Sequence, residues 1–414
     1  MNKISFIIPG RNNRKYLEWA YKAIRLNLET QHEICFADDA STDGTWACCQ
    51  KIMKDDPNFK AIRNEGPNRL GHTILYDRLI NDVATSEIVM IYHCDMYACP
   101  GIDDEIFKHI KPKTIVSLTR IEPPLHPAGP EKIVLDCGTE PETFNEKKLI
   151  HALLGEGNII EKDKQPTEGI FAPWAIYKKD FQDIGGHDPL FAPQSREDSD
   201  IFNRFELAGF KFVQTWEGFV YHMTCRGSRF NPTLTQVGTA SNEWLIQNKK
   251  SERNFIRKWG SMVQHDSLMK PIIPYKYKIS LHIKSLTHSQ LLNEIEPWFD
   301  KIYIDVSEYA KSDPSLVVSM FDLVKKYVEL EQPNTKFDLS SKIFVRVSEV
   351  EPIEGDIILE LNMKNINQET FSIITKLSEI ITDSGEIGEF EIYSAKLIIK
   401  SMKTYENELI TLGK

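Results

Sequence analysis

The segment ICFADDASTDGT, residues 34–45, decides how the chain is read. Ile34–Ala37 is a short apolar run of the kind that forms a buried strand. Asp38 and Asp39 end it. A turn rich in Ser, Thr, Asp and Gly follows, and Thr45–Met53 reads as a helix that Ser41 or Asp43 would cap. This strand–turn–helix corner has two readings. Its polar residues either form Asx turns and a cap, or present a carboxylate to a nucleobase or ribose.

The same alternation extends outward. Ser5–Pro9 reads as a strand, Tyr16–Leu28 as a helix, Ala61–Arg63 as a strand, Ile74–Val83 as a helix and Ile88–Tyr92 as a strand. Strands alternating with helices predict parallel βαβ units with right-handed crossovers. Ligands of such sheets bind beyond the carboxyl ends of the strands. Asp38-Asp39 and the His93/Asp95 pair both follow strands, so they are expected to share one crevice. Further helices are expected at Glu146–Leu154, Lys179–Ile184 and Asp198–Ala208. After residue 270 the pattern changes. Strands at 277–284, 301–305, 342–348, 356–361 and 388–399, with helices at 287–297, 314–330 and 368–382, predict a separate two-layer α/β domain.

The 414 residues carry a net charge of −10 and are 41% hydrophobic. That is a globular composition, and its charge argues against general electrostatic binding of nucleic acid. No apolar run reaches the roughly 20 residues of a membrane span, and no signal peptide is read at the start. The seven scattered cysteines have neither zinc spacing nor a CxxC pair, which favours reduced thiols and a cytoplasmic setting.

Three further clusters carry chemistry. His93 and Asp95 stand at i and i+2 in YHCDM, and in an extended chain both would face one divalent cation. Oxygen and nitrogen donors suit Mn²⁺, whereas Mg²⁺ prefers oxygen. His222, in VYHM, is a candidate third ligand, and Arg226 and Arg229 beyond it are candidates to meet phosphate. Glu197, Asp198 and Asp200 crowd a helix start after the loop GGHDPLFAPQ. Dipole complementarity explains acids there, but so does a general base presented to a hydroxyl acceptor. Trp174 and Trp216 read equally as core or as sugar-stacking residues.

The order of these motifs resembles the family 2 glycosyltransferases with the GT-A fold, over about residues 3–230. ISFIIPGRNN is similar to the family's opening strand and turn, ADDASTDGT to its DDgSxDgT segment, RNEGPN to its N-x-G stretch and YHCDMYACPG to its DxD region. GGHDPLF…REDSDIFNRFELAGFKF and VYHM are similar to its late GGFD…ED and v-x-H elements. The resemblance implies a mostly parallel, Rossmann-like α/β domain over 1–265, with 231–265 a helical extension. The α/β domain at 266–414 would follow, its role open between oligomerisation, acceptor binding and partner docking. It also implies inverting transfer of a sugar from a nucleotide-diphosphate donor, UDP by default, to a hydroxyl of a glycan or glycoconjugate. Pro9, Arg11 and Asp39 would line the nucleotide pocket, with Asn64 nearby. Asp95 would bind Mn²⁺ or Mg²⁺ and bridge to the diphosphate, with His222 as another ligand. Asp198 would be the base and Glu197 its support. His93 stands where the family usually has the first Asp of DxD, and His187 stands where it has an aromatic residue. A fold retained without its chemistry, as a binding module, is the alternative. A dinucleotide oxidoreductase is disfavoured because the first turn, PGRNNRKY, lacks G-x-G-x-x-G.

Overall fold

In the computed structural model, residues 3–154, 164–224, 226, 240–284, 286, 289–306, 311–331, 337–362 and 367–412 are described. Arg229 and the 231–239 part of the expected helical extension lie outside them. The chain divides into two units. The first is Met1–Asn248 with Gln264–Ile272 and Thr411–Lys414, and the second is Lys249–Val263 with Ile273–Ile410.

The first unit is built on a largely parallel sheet. Its strands are β1 (Ile4–Gly10), β2 (Glu33–Asp39), β3 (Phe59–Asn64), β4 (Ile88–Ile91), β5 (Met96–Ala98), β6 (Thr114–Glu122), β7 (Lys132–Val134), β8 (Trp174–Tyr177) and β9 (Lys211–His222). Their order is β3-β2-β1-β4-β8-β6-β9-β5, with β7 beside β6. β3, β2, β1 and β4 are mutually parallel, and β6 is parallel to β9. β8 runs antiparallel between β4 and β6, and β5 runs antiparallel to β9. The central strands are buried throughout because both faces are covered: every residue of β1 and β2 is buried.

The helices are α1 (Arg14–Asn27), α2 (Thr45–Asp55), α3 (Gly71–Arg78), α4 (Ile102–His109), α5 (Glu146–Leu154), α6 (Lys178–Asp183), α7 (Glu197–Leu207) and α8 (Asn242–Trp259). α1 shows why they pack. It buries Tyr16, Leu17, Ala20, Ala23 and Ile24, one stripe at helical spacing. The expected helix at Ile74–Val83 instead divides into α3 and a π-helical turn, Leu79–Val83. Trp174 and Trp216 are buried, and Trp174 packs against Phe181, Phe202 and Phe205. Trp174 is a core residue.

The second unit contains β10 (Ile279–Lys284), α9 (Ser289–Ile295), β11 (Lys301–Asp305), α10 (Pro314–Glu331), β12 (Ile343–Arg346), β13 (Ile357–Asn362), α11 (Gln368–Thr375), α12 (Leu377–Ser384), β14 (Gly388–Ile392) and β15 (Ala395–Ile399). The sheet order is β12-β11-β10-β13-β15-β14, with the first four parallel. The single strand expected at 388–399 is a hairpin. Its turn uses Tyr393 at φ 51°, and no Gly, Asn or Pro marks it in the sequence. The helix expected at 368–382 is likewise split at Lys376.

A fully buried carboxylate, Glu296, organises this unit. It accepts from Arg257 Nη2 at 2.6 Å, Lys342 Nζ at 2.6 Å and Arg253 Nη2 at 3.2 Å. Burial opposes its charge, but Lys342 and Arg257 outweigh that and hold its pKa down to about 2. The unfolded value is about 4.3. The stabilisation is therefore complete above that value and is lost as pH falls towards 2. Replacing Glu296 by Ala strands buried cations, and should cost about 3–5 kcal/mol in urea unfolding. The variant should also lose the part of the acid dependence that Glu296 supplies between those two pH values.

Candidate functional site

The carboxyl ends of β1 and β2 form one interlocked corner. Asn12 N donates to Ser41 Oγ (2.8 Å), Thr42 N to Asn12 Oδ1 (2.8 Å), Asn13 N to Thr45 Oγ1 (3.2 Å) and Arg14 N to Asp43 Oδ2 (3.1 Å). The residues of DASTDGT are thus used to clip two loops together. Asp39 lies beneath the loop that follows β3. Its Oδ1 accepts from Asn64 Nδ2 (2.7 Å) and Leu70 N (3.0 Å), and its Oδ2 from Gly71 N (3.0 Å). Arg69 Nε also lies 3.9 Å from Oδ2. Gly71 is required where it stands: its φ is +74°, and a Cβ would lie 2.0 Å from Pro193 O. Pro9 is buried in β1, and Arg11 stands half-buried in the turn just beyond it.

Further along the same edge, His93, Asp95 and His222 converge. One ligand atom from each lies within 4.8 Å of the others. They meet by a different route from the extended-chain reading. Residues 94–95 form a turn, with Met96 N donating to His93 O (3.2 Å). β5 then pairs with β9 in a register that sets Met96 opposite His222, and Met223 N donates to Asp95 O (3.0 Å). His222 Nε2 is 3.6 Å from Asp95 Oδ2, and its Nδ1 lies 2.8 Å from Glu122 Oε1. Glu122, at the end of β6, also accepts from Arg120 (2.9 Å) and Lys132 (3.0 Å). Burial alone would push His222 down, but Asp95 and Glu122 raise it to about 9. Burial likewise resists charge on Asp95, yet His222 holds its carboxyl below the usual range. His93 is pushed down to about 3 by burial.

This donor set fits a divalent cation. It offers two imidazoles and one carboxylate, and His222 is oriented by a carboxylate on its other nitrogen, the arrangement typical of metal-bound histidine. Two nitrogen donors favour Mn²⁺ or a later transition ion over Mg²⁺.

The acidic pair starts α7. Glu197 is buried and its Oε2 has no hydrogen-bond partner. Burial and the charge of Asp198 raise Glu197 to about 8, and burial raises Asp198 as well. Burial therefore disfavours charge on both of these neighbouring carboxyls. Asp200, by contrast, is structural: it pairs with Arg204 at 2.9 Å, both fully buried. From the metal-type cluster runs a row of rings, His222, His93, His72, Tyr76 and His187, with neighbouring centroids 5.6–6.3 Å apart. The Tyr76 hydroxyl is buried without a partner and feels the charges of Asp198 and Glu197.

Residues 5–123 match the family described as glycosyl transferase family 2. The matched segment lies within the first unit. A curated relative from Campylobacter jejuni subsp. jejuni serotype O:2, GalNAc(5)-diNAcBac-PP-undecaprenol beta-1,3-glucosyltransferase, is 38% identical over 72 residues. That match spans 16% of this chain and 23% of the relative's length. Solved structures resemble the chain in part. GalNAc-T7 with UDP, GalNAc and Mn²⁺ covers 63% of this chain and 48% of its own, at 14% identity and TM-score 0.44. The Pyrobaculum calidifontis mannosyltransferase PcManGT with GDP-Man and Mn²⁺ covers 61% and 62%, at 16% identity and TM-score 0.39.

The first unit brings His93, Asp95 and His222 together, and sets Asp39 against Asn64. Arg226 Nε is 2.9 Å from Glu140 Oε1. Sequence reading missed Glu122, His72, Tyr76 and Asp77. Glu122 ends an apolar strand before a proline loop, the same signal that marked Asp95. Replacing Glu122 by Gln should weaken Mn²⁺ binding by about 10–100-fold in titration calorimetry, because His222 loses the carboxylate that orients it.

Proposed function

We propose that this chain is an inverting glycosyltransferase that moves a sugar from a nucleotide-diphosphate sugar to a hydroxyl of a glycan or glycoconjugate. The convergence of His93, Asp95 and His222 at the carboxyl edge of the sheet is the observation that carries this reading. A divalent cation held there would offset the charge that develops on the leaving diphosphate. Pro9, Arg11, Asp39 and Asn64 bind the nucleotide in this reading, and the uridine form is the first donor to test. An ionised Asp39 oxygen suits an imide N–H or a ribose hydroxyl.

In the transfer itself, the acceptor oxygen forms a bond to the anomeric carbon. The bond from that carbon to the diphosphate oxygen breaks, and its electron pair leaves with the diphosphate. The hydroxyl proton passes to Asp198, while Glu197 stays protonated beside it. Inversion places acceptor and leaving group on opposite faces of the sugar.

A thermal-shift screen of nucleotide sugars with Mn²⁺ and with Mg²⁺ tests the donor side, since a ligand bound only by the folded state raises its apparent stability. The expected result is stabilisation by a uridine diphosphate sugar, larger with Mn²⁺. Stabilisation by guanosine diphosphate sugars instead would move the base assignment. Asp95→Ala should abolish the Mn²⁺-dependent part. Asp198→Asn should lower transfer by about 10²–10⁴-fold with little change in donor affinity, and full activity in that variant would remove Asp198 from the base role.

A further inference from the structure

We propose that the cavity between the loop before α7 and the start of α8 is a subsite for one neutral pyranose ring of the acceptor; this rests on the glycosyltransferase reading above. The cavity has a volume of about 190 Å³, and its lining residues belong to the first unit. A cavity of roughly 150 Å³ accepts one six-membered carbon ring, so this one matches a single sugar and not a longer segment. Trp244, half-buried in the first turn of α8, supplies an aromatic wall, and Ile246 adds apolar surface. A pyranose presents C–H groups on its faces and hydroxyls around its rim. The C–H groups carry slight positive charge and suit the negative face of an indole. Arg69, Gln194 and Glu243 bring both donors and acceptors to the same walls, which suits the rim.

Charge and position narrow the choice of ligand. Arg69 Nη1 is 3.6 Å from Glu243 Oε1, and its Nε is 3.9 Å from Asp39 Oδ2. Two carboxylates thus face this guanidinium, and no other described residue lining the cavity is cationic. A neutral ligand suits such a site better than a phosphate, which calls for surplus positive charge. Arg69 also ties the cavity to the carboxyl end of β2, where Asp39 stands. Another wall leads into the acidic pair. Gln247 Nε2 donates to Ala192 O (3.3 Å) and Gln194 O (3.2 Å), and Ser195 Oγ donates to Asn248 Oδ1 (2.7 Å). The start of α8 is thereby pinned to the loop whose next residues are Arg196, Glu197 and Asp198. Four residues carry the chain from Gln194 to Asp198, a span of at most about 14 Å. A sugar seated against Trp244 therefore lies on the side of the proposed base. The hydroxyl that gives up its proton belongs to that ring or to the ring linked to it.

Saturation-transfer NMR on the full chain tests this, with methyl β-glycosides of glucose, galactose, N-acetylglucosamine and N-acetylgalactosamine as probes. At least one glycoside should receive saturation at its ring C–H protons. Trp244→Ala should weaken its binding about tenfold, whereas Trp244→Phe, which keeps an aromatic ring, should hold it within about threefold. Should Trp244→Ala fail to fold, Glu243→Ala, at an exposed position, should weaken binding by about the same tenfold through loss of a charged hydrogen bond. In transfer assays either alanine variant should raise the acceptor KM and leave the donor KM within about twofold. Binding of no glycoside by the wild-type chain, or unchanged affinity in both alanine variants, overturns the proposal. Displacement of the glycoside by a uridine diphosphate sugar with Mn²⁺ also overturns it, since the cavity would then belong to the donor. Binding of glycerol phosphate in place of the glycosides overturns the choice of a neutral ring. The binding arm needs no transfer. A wild-type chain that binds a glycoside at Trp244 but transfers no sugar from any donor would strike the glycosyltransferase reading and leave the sugar site standing.

Discussion

The antiparallel pairing of β5 with β9 is the constraint on which the site depends. β5 is only three residues long, yet its register sets Met96 against His222 and so brings Asp95 beside that imidazole. β9 lies between β5 and β6, and the end of its ladder with β6 sets Tyr221 opposite Ile121. Glu122, the next residue of β6, then reaches the other nitrogen of His222. A register shift in β9 between Thr215 and Phe219 makes these two alignments compatible. Strand ladders tolerate such an irregularity where a side chain must be re-aimed.

Buried charge explains why this geometry is specific. Asp95, Glu122 and His222 each sit where solvation is poor, and none is stable there as an isolated ion. They are tolerated because they alternate in sign, with Arg120 and Lys132 closing the outer side. At the start of α7 burial raises both Glu197 and Asp198, and the nearby Arg196 only partly offsets it for Glu197. The sheet edge therefore presents an electrostatically balanced cluster.

Much of this was legible in the sequence. The apolar runs and their helical partners gave the parallel half of the sheet, because local periodicity encodes those elements. The residues Asp95, His222 and Asp198 stood out because each follows or begins an element in a motif of recognisable order. The antiparallel insertion of β8 and the short β5 were not legible, since both exist through pairing with distant strands. For the same reason the i, i+2 argument for His93 and Asp95 rested on an extended geometry that the chain does not adopt there. The chain turns at Cys94-Asp95, and the long-range ladder does what an extended strand was expected to do. Glu122 and Asp77 were missed because each acts on a histidine far away in sequence, with 100 and 110 residues between partners. In the second unit, turn residues without a turn signature concealed the hairpin at Tyr393.

Helix α3 touches nearly every part of the arrangement. Its first residue, Gly71, donates to Asp39; His72 and Tyr76, one turn apart, stand in the ring row; Asp77 seats His187. Each residue of a helix advances about 100° around its axis. A one-residue insertion or deletion inside these eight residues would swing all the contacts beyond it off their targets together. The helix thus acts as the molecule's phase reference, and its length is as tightly determined as any single side chain it carries.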